Sequence, residues 1–546
     1  MRPAHDPFTA PRSNPIGDFL TPDGPQPEVS STPRSGGAVA TPAARFPDVT
    51  SASDRWLLAG IVGLAFLVRL VPVLVRGSLY GVQMYDDGVY FGAALAMVQG
   101  LVPYRDFLFL HPPGILYLTA PFAALSNALG DPNAFAAARI AFTLLGAINT
   151  GLVVILASRM GRRCALLAGL LYAVWPAAVI VERTTWLIGP QITLLLVAML
   201  ALKFGGDAGT PAVRSRRALI AGLAMGLAFS TQVWNAVPGA ILLVWLLAQS
   251  RHGTGARWRP PVAYVLGAAT AAALAWTPFL LASGTRILRY VFLDQAGRGA
   301  TTGSMLKRIR ALEGLPIGSS ATSWSAVLVV GAFLVVAICV AWATWRRPAL
   351  RPWAILVAAQ LCVIAILPPF LHYAGWAAPV GTAVLATTID TAWIRRSASP
   401  RFRGALVLTS AGAIGVLLLL SSVRHVGHRL DLSRLRDATA AARCVSTDSP
   451  VLLIELDRLS RSVREGCPLV LDPTGTSFDL DRSSTADRAH RPEYQAAMAA
   501  YYGSGDATLL MRLRTGDGLS AATMASIRDH LPVVTEVGRV TVMTTR

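Results

Sequence analysis

The chain has 546 residues, of which 53% are hydrophobic and 14% charged, with a mean hydropathy of +0.50. That composition excludes a string of soluble domains and places the chain in a bilayer. The formal charge of +19 would suit nucleic acid in a soluble protein. Here the arginines fall mostly in short loops between apolar runs, where they set membrane orientation, and nucleic acid is excluded as a partner.

Residues 1–53 are rich in Pro, Gly, Ser and Thr and contain no apolar core of the kind a signal peptide needs. They read as a disordered cytoplasmic tail that is not cleaved. The membrane region covers residues 54–422. Its first span, residues 56–75, is long enough for a hydrocarbon core of roughly 30 Å, and Arg69 within it is expected to snorkel toward the nearer interface.

The first outer loop, residues 76–133, carries Tyr85-Asp86-Asp87-Gly88-Val89-Tyr90, then Pro103-Tyr104-Arg105-Asp106, then His111-Pro112-Pro113-Gly114. Between the first two motifs, residues 87–99 place apolar side chains at helical spacing and stop before Gly100, which predicts a short helix lying on the membrane. Residues 115–129 form a second apolar run that either spans or lies flat.

The charge of the later loops decides. If that run lies flat, the spans are residues 134–157, 164–181, 187–202, 218–231, 234–248, 262–281, 324–343, 353–367, 374–393 and 405–422. The total is about eleven, with the N-terminus inside. Loops 158–163, 203–217, 251–260, 345–352 and 394–403 are then cytoplasmic, and each holds at least three Lys or Arg. A spanning run would turn all of these outward, against the positive-inside rule.

This assignment gathers the first loop, Glu182-Arg183, the loop 283–323, His372-Tyr373 and the tail on one outer face. Loop 283–323 carries Arg286, Arg289, Arg298, Lys307, Arg308 and Arg310 against Asp294 and Glu313. An external basic cluster calls for an anion, either lipid headgroups or a phosphate-bearing lipid substrate. Residues 423–546 read as a small α/β extracytoplasmic domain, with strands at 451–455, 468–472 and 533–544 and helices at 493–502 and 521–531. Cys444 and Cys467 would tie the first of these strands to the second in an oxidising compartment; two unrelated thiols are the alternative.

No P-loop, Rossmann glycine fingerprint or His-Glu-x-x-His is present, so an outer-face enzyme would draw on a substrate that is already activated, such as a lipid-phosphate sugar. Transfer from it needs a base for the acceptor hydroxyl and groups that hold the departing phosphate. Asp86 and Asp87 are the candidate catalytic acids, able also to share a divalent cation such as Mg or Mn. The plainer reading has Asp86 cap the helix that follows. Arg105, with Asp106 beside it, and His111 flank a Pro-rich turn and are candidates for the phosphate, as are Glu182, Arg183, Arg298, His372 and Tyr373 for substrate. His425 and His428 have metal-like spacing but no acidic neighbour.

The order of first span, Asp-Asp-Gly-Val-Tyr, surface helix, Pro-Tyr-Arg-Asp and His-Pro-Pro-Gly resembles the GT-C glycosyltransferases, and within them the protein O-mannosyltransferase and lipid A aminoarabinose transferase branch. The resemblance implies a polytopic GT-C-like helical fold and an inverting transfer from a polyprenyl-phosphate sugar to an extracytoplasmic glycan, lipid or protein in the plasma (inner) membrane. It makes Asp86 the base, with Asp87 where Glu is usual and His111 where some members have Lys. Glu182 falls in the region of a second functional acid, and His372-Tyr373 resembles a His-Tyr pair near the last spans. The Ala-, Arg- and Gly-rich composition suggests a GC-rich genome such as an actinobacterial one, for which decaprenyl-phosphate mannose or arabinose are the implied donors. The rivals are a carrier or flippase for lipid-linked sugars and a non-catalytic membrane scaffold that binds cell-envelope glycan.

Overall fold

The computed structural model describes residues 52–205, 211–250, 257–295, 308–309, 323–367, 370–391, 416, 426–480, 487–516 and 518–545. The expected last span at 405–422, apart from residue 416, and Arg298, Lys307 and Arg310 lie outside them. Helix α1 (Ala52–Val75) precedes α2 (Tyr85–Val98), α3 (Gly114–Ala124) and the long α4 (Asp131–Ala157). Then come α5 (Arg162–Val174), α6 (Pro176–Glu182), α7 (Ile188–Leu202), α8 (Pro211–Thr231), α9 (Ala236–Ser250) and α10 (Arg259–Ser283). The last membrane helices described are α11 (Ser323–Arg346), α12 (Arg351–Ile366) and α13 (Ala374–Ile389).

Among the described residues, five helices are long and apolar enough to cross a bilayer, or six if α5 and α6 form one broken span. Other runs counted as spans from the sequence fold as shorter apolar helices, among them α7 and α13. The run at 164–181 is divided by Pro176. Trp175 before it is extended, as the residue preceding a proline prefers to be, and the two helices meet at 61°.

That break directs α6 inward and explains Arg69. The arginine does not snorkel: it is fully buried, donating to Glu182 Oε2 at 2.6 Å and to the carbonyls of Ala65 and Ala173. Glu182 also accepts from Tyr172 Oη and Asn149 Nδ2, each at 2.7 Å. In hydrocarbon, mutual neutralisation with every lone pair engaged is cheaper than dragging one charge to an interface.

Helix α2 also differs from the expected surface helix. It begins at Tyr85, and Met84, not Asp86, is its N-cap. Residues Asp87 to Ala96 are all buried. The reason is the tail, which packs against α2 through Val451 at Gly88 and Leu459 and Leu471 at Gly92. Gly88 lies so close to Val451 that an added Cβ would stand 2.4 Å from its Cγ2 and 2.9 Å from its backbone nitrogen.

In the tail, residues expected as strand 451–455 form the helix Pro450–Glu455, again with proline at the first helical turn, and residues 468–472 are irregular. The expected final strand is a hairpin. Strands β1 (Val445–Thr447), β2 (Ala507–Leu510), β3 (Val533–Val537) and β4 (Val540–Thr544) form one sheet in the order β1-β2-β4-β3, parallel between β1 and β2 and otherwise antiparallel. Helices Pro492–Gly503 and Ala521–His530 occupy the places read from periodicity. Cys444 and Cys467 form a disulfide, joining the start of β1 to the irregular segment rather than to a second strand.

Candidate active site

Asp86 is half-buried and lines a cavity together with Tyr90 and His111, Trp186, Leu187, Ile188 and Gln191, Gln232 and Trp234, Gln295, His372 and Tyr373. Six separate segments therefore converge on one carboxylate. The walls are aromatic: His372 lies 4.3 Å from the Trp186 ring, Tyr373 meets Trp234 edge-on at 4.7 Å, and His111 meets Tyr90 edge-on at 4.9 Å. The Pro-rich turn is held by Tyr104 Oη, which donates to the His111 carbonyl at 2.7 Å. The apolar rings around His372 push its pKa down to about 3, so it faces the cavity as a neutral imidazole.

The two aspartates divide. Consecutive positions on a helix point about 100° apart, and Asp87 turns away from the cavity into a fully buried ion pair with Arg139 on α4, 2.8 Å from its guanidinium. Arg139 lies 3.8 Å over the Phe135 ring, donates to the carbonyls of Leu79 and Gly81, and reaches Glu455 of the tail at 3.0 Å. Burial raises the Asp87 carboxyl above its usual range, with Arg139 opposing. The same two influences take Glu455 to about 8, so it carries a proton at neutral pH.

The residue before Asp86 is gripped as well. Tyr85 Oη donates to Asp472 Oδ1 at 2.7 Å, and the Arg512 guanidinium lies 3.8 Å over the Tyr85 ring. Thr185, just beyond α6, donates to the Asp87 carbonyl at 3.1 Å. Asp86 thus sits in the first turn of a helix whose neighbouring positions are pinned by the tail, by α4 and by the segment after α6.

Other expected site residues lie elsewhere. Arg105 pairs with Asp106 at 2.8 Å on the surface, holding the Asp106 carboxyl below its usual range, and neither lines the cavity. Glu182 is occupied by Arg69, and Arg183 is buried outside the cavity lining. Arg286 donates to the Arg105 carbonyl, Arg289 pairs with Asp479, and Arg308 donates to the carbonyls of Ala365 and Leu367. That loop instead delivers Gln295, which donates to the Leu110 carbonyl at 2.8 Å.

Among the described residues no group of three or more His, Cys, Asp or Glu side chains is placed to share a metal ion. Arg139 engages one oxygen of the Asp87 carboxylate, Oδ2, while Asp86 lines the cavity. Trp186, Gln191, Gln232, Trp234 and Gln295 were not legible as site residues. For Gln191 one signal existed, a lone amide within an otherwise apolar run.

Residues 110–281 match the family described as dolichyl-phosphate-mannose-protein mannosyltransferase. No curated protein matches the sequence. Among solved structures the fold is similar to ArnT from Cupriavidus metallidurans in the apo state (TM-score 0.58, 16% identity, 90% of this chain and 98% of that one). The same protein bound to undecaprenyl phosphate gives TM-score 0.58 and 17% identity over the same shares. The archaeal oligosaccharyltransferase AglB from Archaeoglobus fulgidus gives TM-score 0.50 and 13% identity, over 84% of this chain and 69% of that one. The family match covers residues 110–281, and the likeness in fold extends over 90% of the chain.

Proposed function

We propose that this protein is an inverting glycosyltransferase that moves a sugar from a polyprenyl phosphate to an extracytoplasmic acceptor, in the plasma (inner) membrane with its N-terminus cytoplasmic. The observation that carries this reading is the division of labour in the acidic pair: Asp87 is spent on Arg139, while Asp86 faces a cavity walled by aromatic rings and amides. The ArnT structure bound to undecaprenyl phosphate shares the fold over 90% of this chain and supports such a lipid as the donor's carrier.

In the reaction, the acceptor hydroxyl oxygen attacks the anomeric carbon from the face opposite the phosphate. Its proton passes to Asp86 while the bond from that carbon to the phosphate oxygen breaks, and the electron pair leaves with the phosphate. Attack from the opposite face inverts the centre. A placed carboxylate acting as general base is worth roughly 10² to 10⁴ in rate. His111, held at the cavity edge, can donate to a phosphate oxygen.

The test is purified protein in liposomes with radiolabelled polyprenyl-phosphate sugars. Label should leave the lipid with wild type and stay on it with Asp86→Asn, at equal protein levels. Normal release by Asp86→Asn defeats the assignment, and transport of intact donor without release favours a carrier.

A further inference from the structure

One amide in the cavity has its direction settled by groups whose polarity is unambiguous. Trp376 Nε1 can only donate, and it donates to Asn235 Oδ1 at 3.1 Å. The Ala228 and Gln232 carbonyls can only accept, and both accept from Asn235 Nδ2 at 3.0 Å. Asn235 therefore has one orientation, its two Nδ2 hydrogens are shared among three acceptors, and the Gln191 atom that accepts at 2.7 Å is the oxygen. That leaves the Gln191 NH₂ on the other side, fully buried, lining the cavity and without a partner among the described protein groups.

An amide left unsatisfied by protein groups in a buried site is costly. A relay that holds it so is explained by a ligand that completes it. We propose that Gln191 binds the donor sugar, its NH₂ meeting a hydroxyl oxygen of an uncharged hexose or pentose. This rests on the function proposed above and names the class of sugar.

Two features favour a hydroxyl of a neutral sugar over a phosphate oxygen or an amino sugar. Gln232 and Gln295 place further amides in the same lining, and sugar hydroxyls both donate and accept, as amides do. Among the described residues the cavity lining contains no Lys or Arg, and Asp86, its one acid, is committed to the acceptor proton. Trp186 and Trp234 offer flat faces for the apolar side of a pyranose or furanose ring.

The test measures binding, which Trp186 and Trp234 report by fluorescence, for four probes: a bare short-chain polyprenyl phosphate and the same lipid bearing a neutral hexose, a neutral pentose or a 4-amino pentose. Gln191→Glu keeps an oxygen for Asn235 but loses the donor, and Gln191→Met loses both. Each should weaken binding of a neutral-sugar lipid about tenfold, one hydrogen bond's worth, and leave bare lipid phosphate unchanged. Equal weakening for the bare lipid would overturn the assignment, as would tighter wild-type binding of the amino-sugar lipid than of both neutral ones. No wild-type binding of any probe would overturn the donor reading itself, and Asp86→Asn, which should bind normally without turnover, separates a failed base from a failed sugar contact.

Discussion

The carboxylate of Asp87 and the guanidinium of Arg139 meet at 2.8 Å with both side chains fully buried. Removing one partner of such a pair leaves an uncompensated charge. Asp87→Ala or Arg139→Ala should therefore cost about 3–5 kcal/mol of stability, read as early thermal unfolding in detergent. Asp86→Asn should unfold at the wild-type temperature while losing turnover, and a fall in both for Asp86→Asn would mean the two acids are not divided as described.

Gly88 is the glycine of the acidic motif because Val451 of the tail occupies the space of a side chain. Gly88→Ala should cost about 1–3 kcal/mol through overpacking. Val451→Ala in the same chain should recover only part of this, since the Val451 backbone nitrogen stays close. Full recovery would show that the clash is confined to the side chain.

Glu455 gives the junction between tail and α2 a pH dependence. It faces Arg139 and Asp87, with Arg436 also nearby, and its folded pKa of about 8 stands above the ordinary 4.5. Between these values the folded state holds a proton that the unfolded chain has released, so stability falls as pH rises from about 4.5 to 8. Glu455→Gln should flatten that part of the profile of unfolding temperature against pH. An unchanged slope would assign the dependence to another group.

Arg69 and Glu182 form a second buried pair, at 2.6 Å. Glu182→Gln or Arg69→Ala should lower stability by about 3–5 kcal/mol, whereas the double change Arg69→Met with Glu182→Met should recover much of it. Donor affinity, measured on the folded fraction, should be unaffected by Glu182→Gln; a loss of affinity there would return Glu182 to the substrate site.

Membrane character, the tail helices at 493–502 and 521–531, and the acidic motif were legible along the chain, because hydropathy, helical period and charge in short loops depend on near neighbours. The partners of the charged residues were not. Arg139 lies 52 positions from Asp87 and 316 from Glu455, and Arg69 lies 113 from Glu182. Each stands in or beside an apolar run with no local cue to its mate. The shape of residues 450–455 also depended on context: a short apolar run reads equally as strand or helix, and Pro450 with burial against α2 settled it as helix. Folding likewise chose which of two adjacent aspartates faces the cavity, since a 100° step along one helix turn becomes a difference in function only once other elements have enclosed each side.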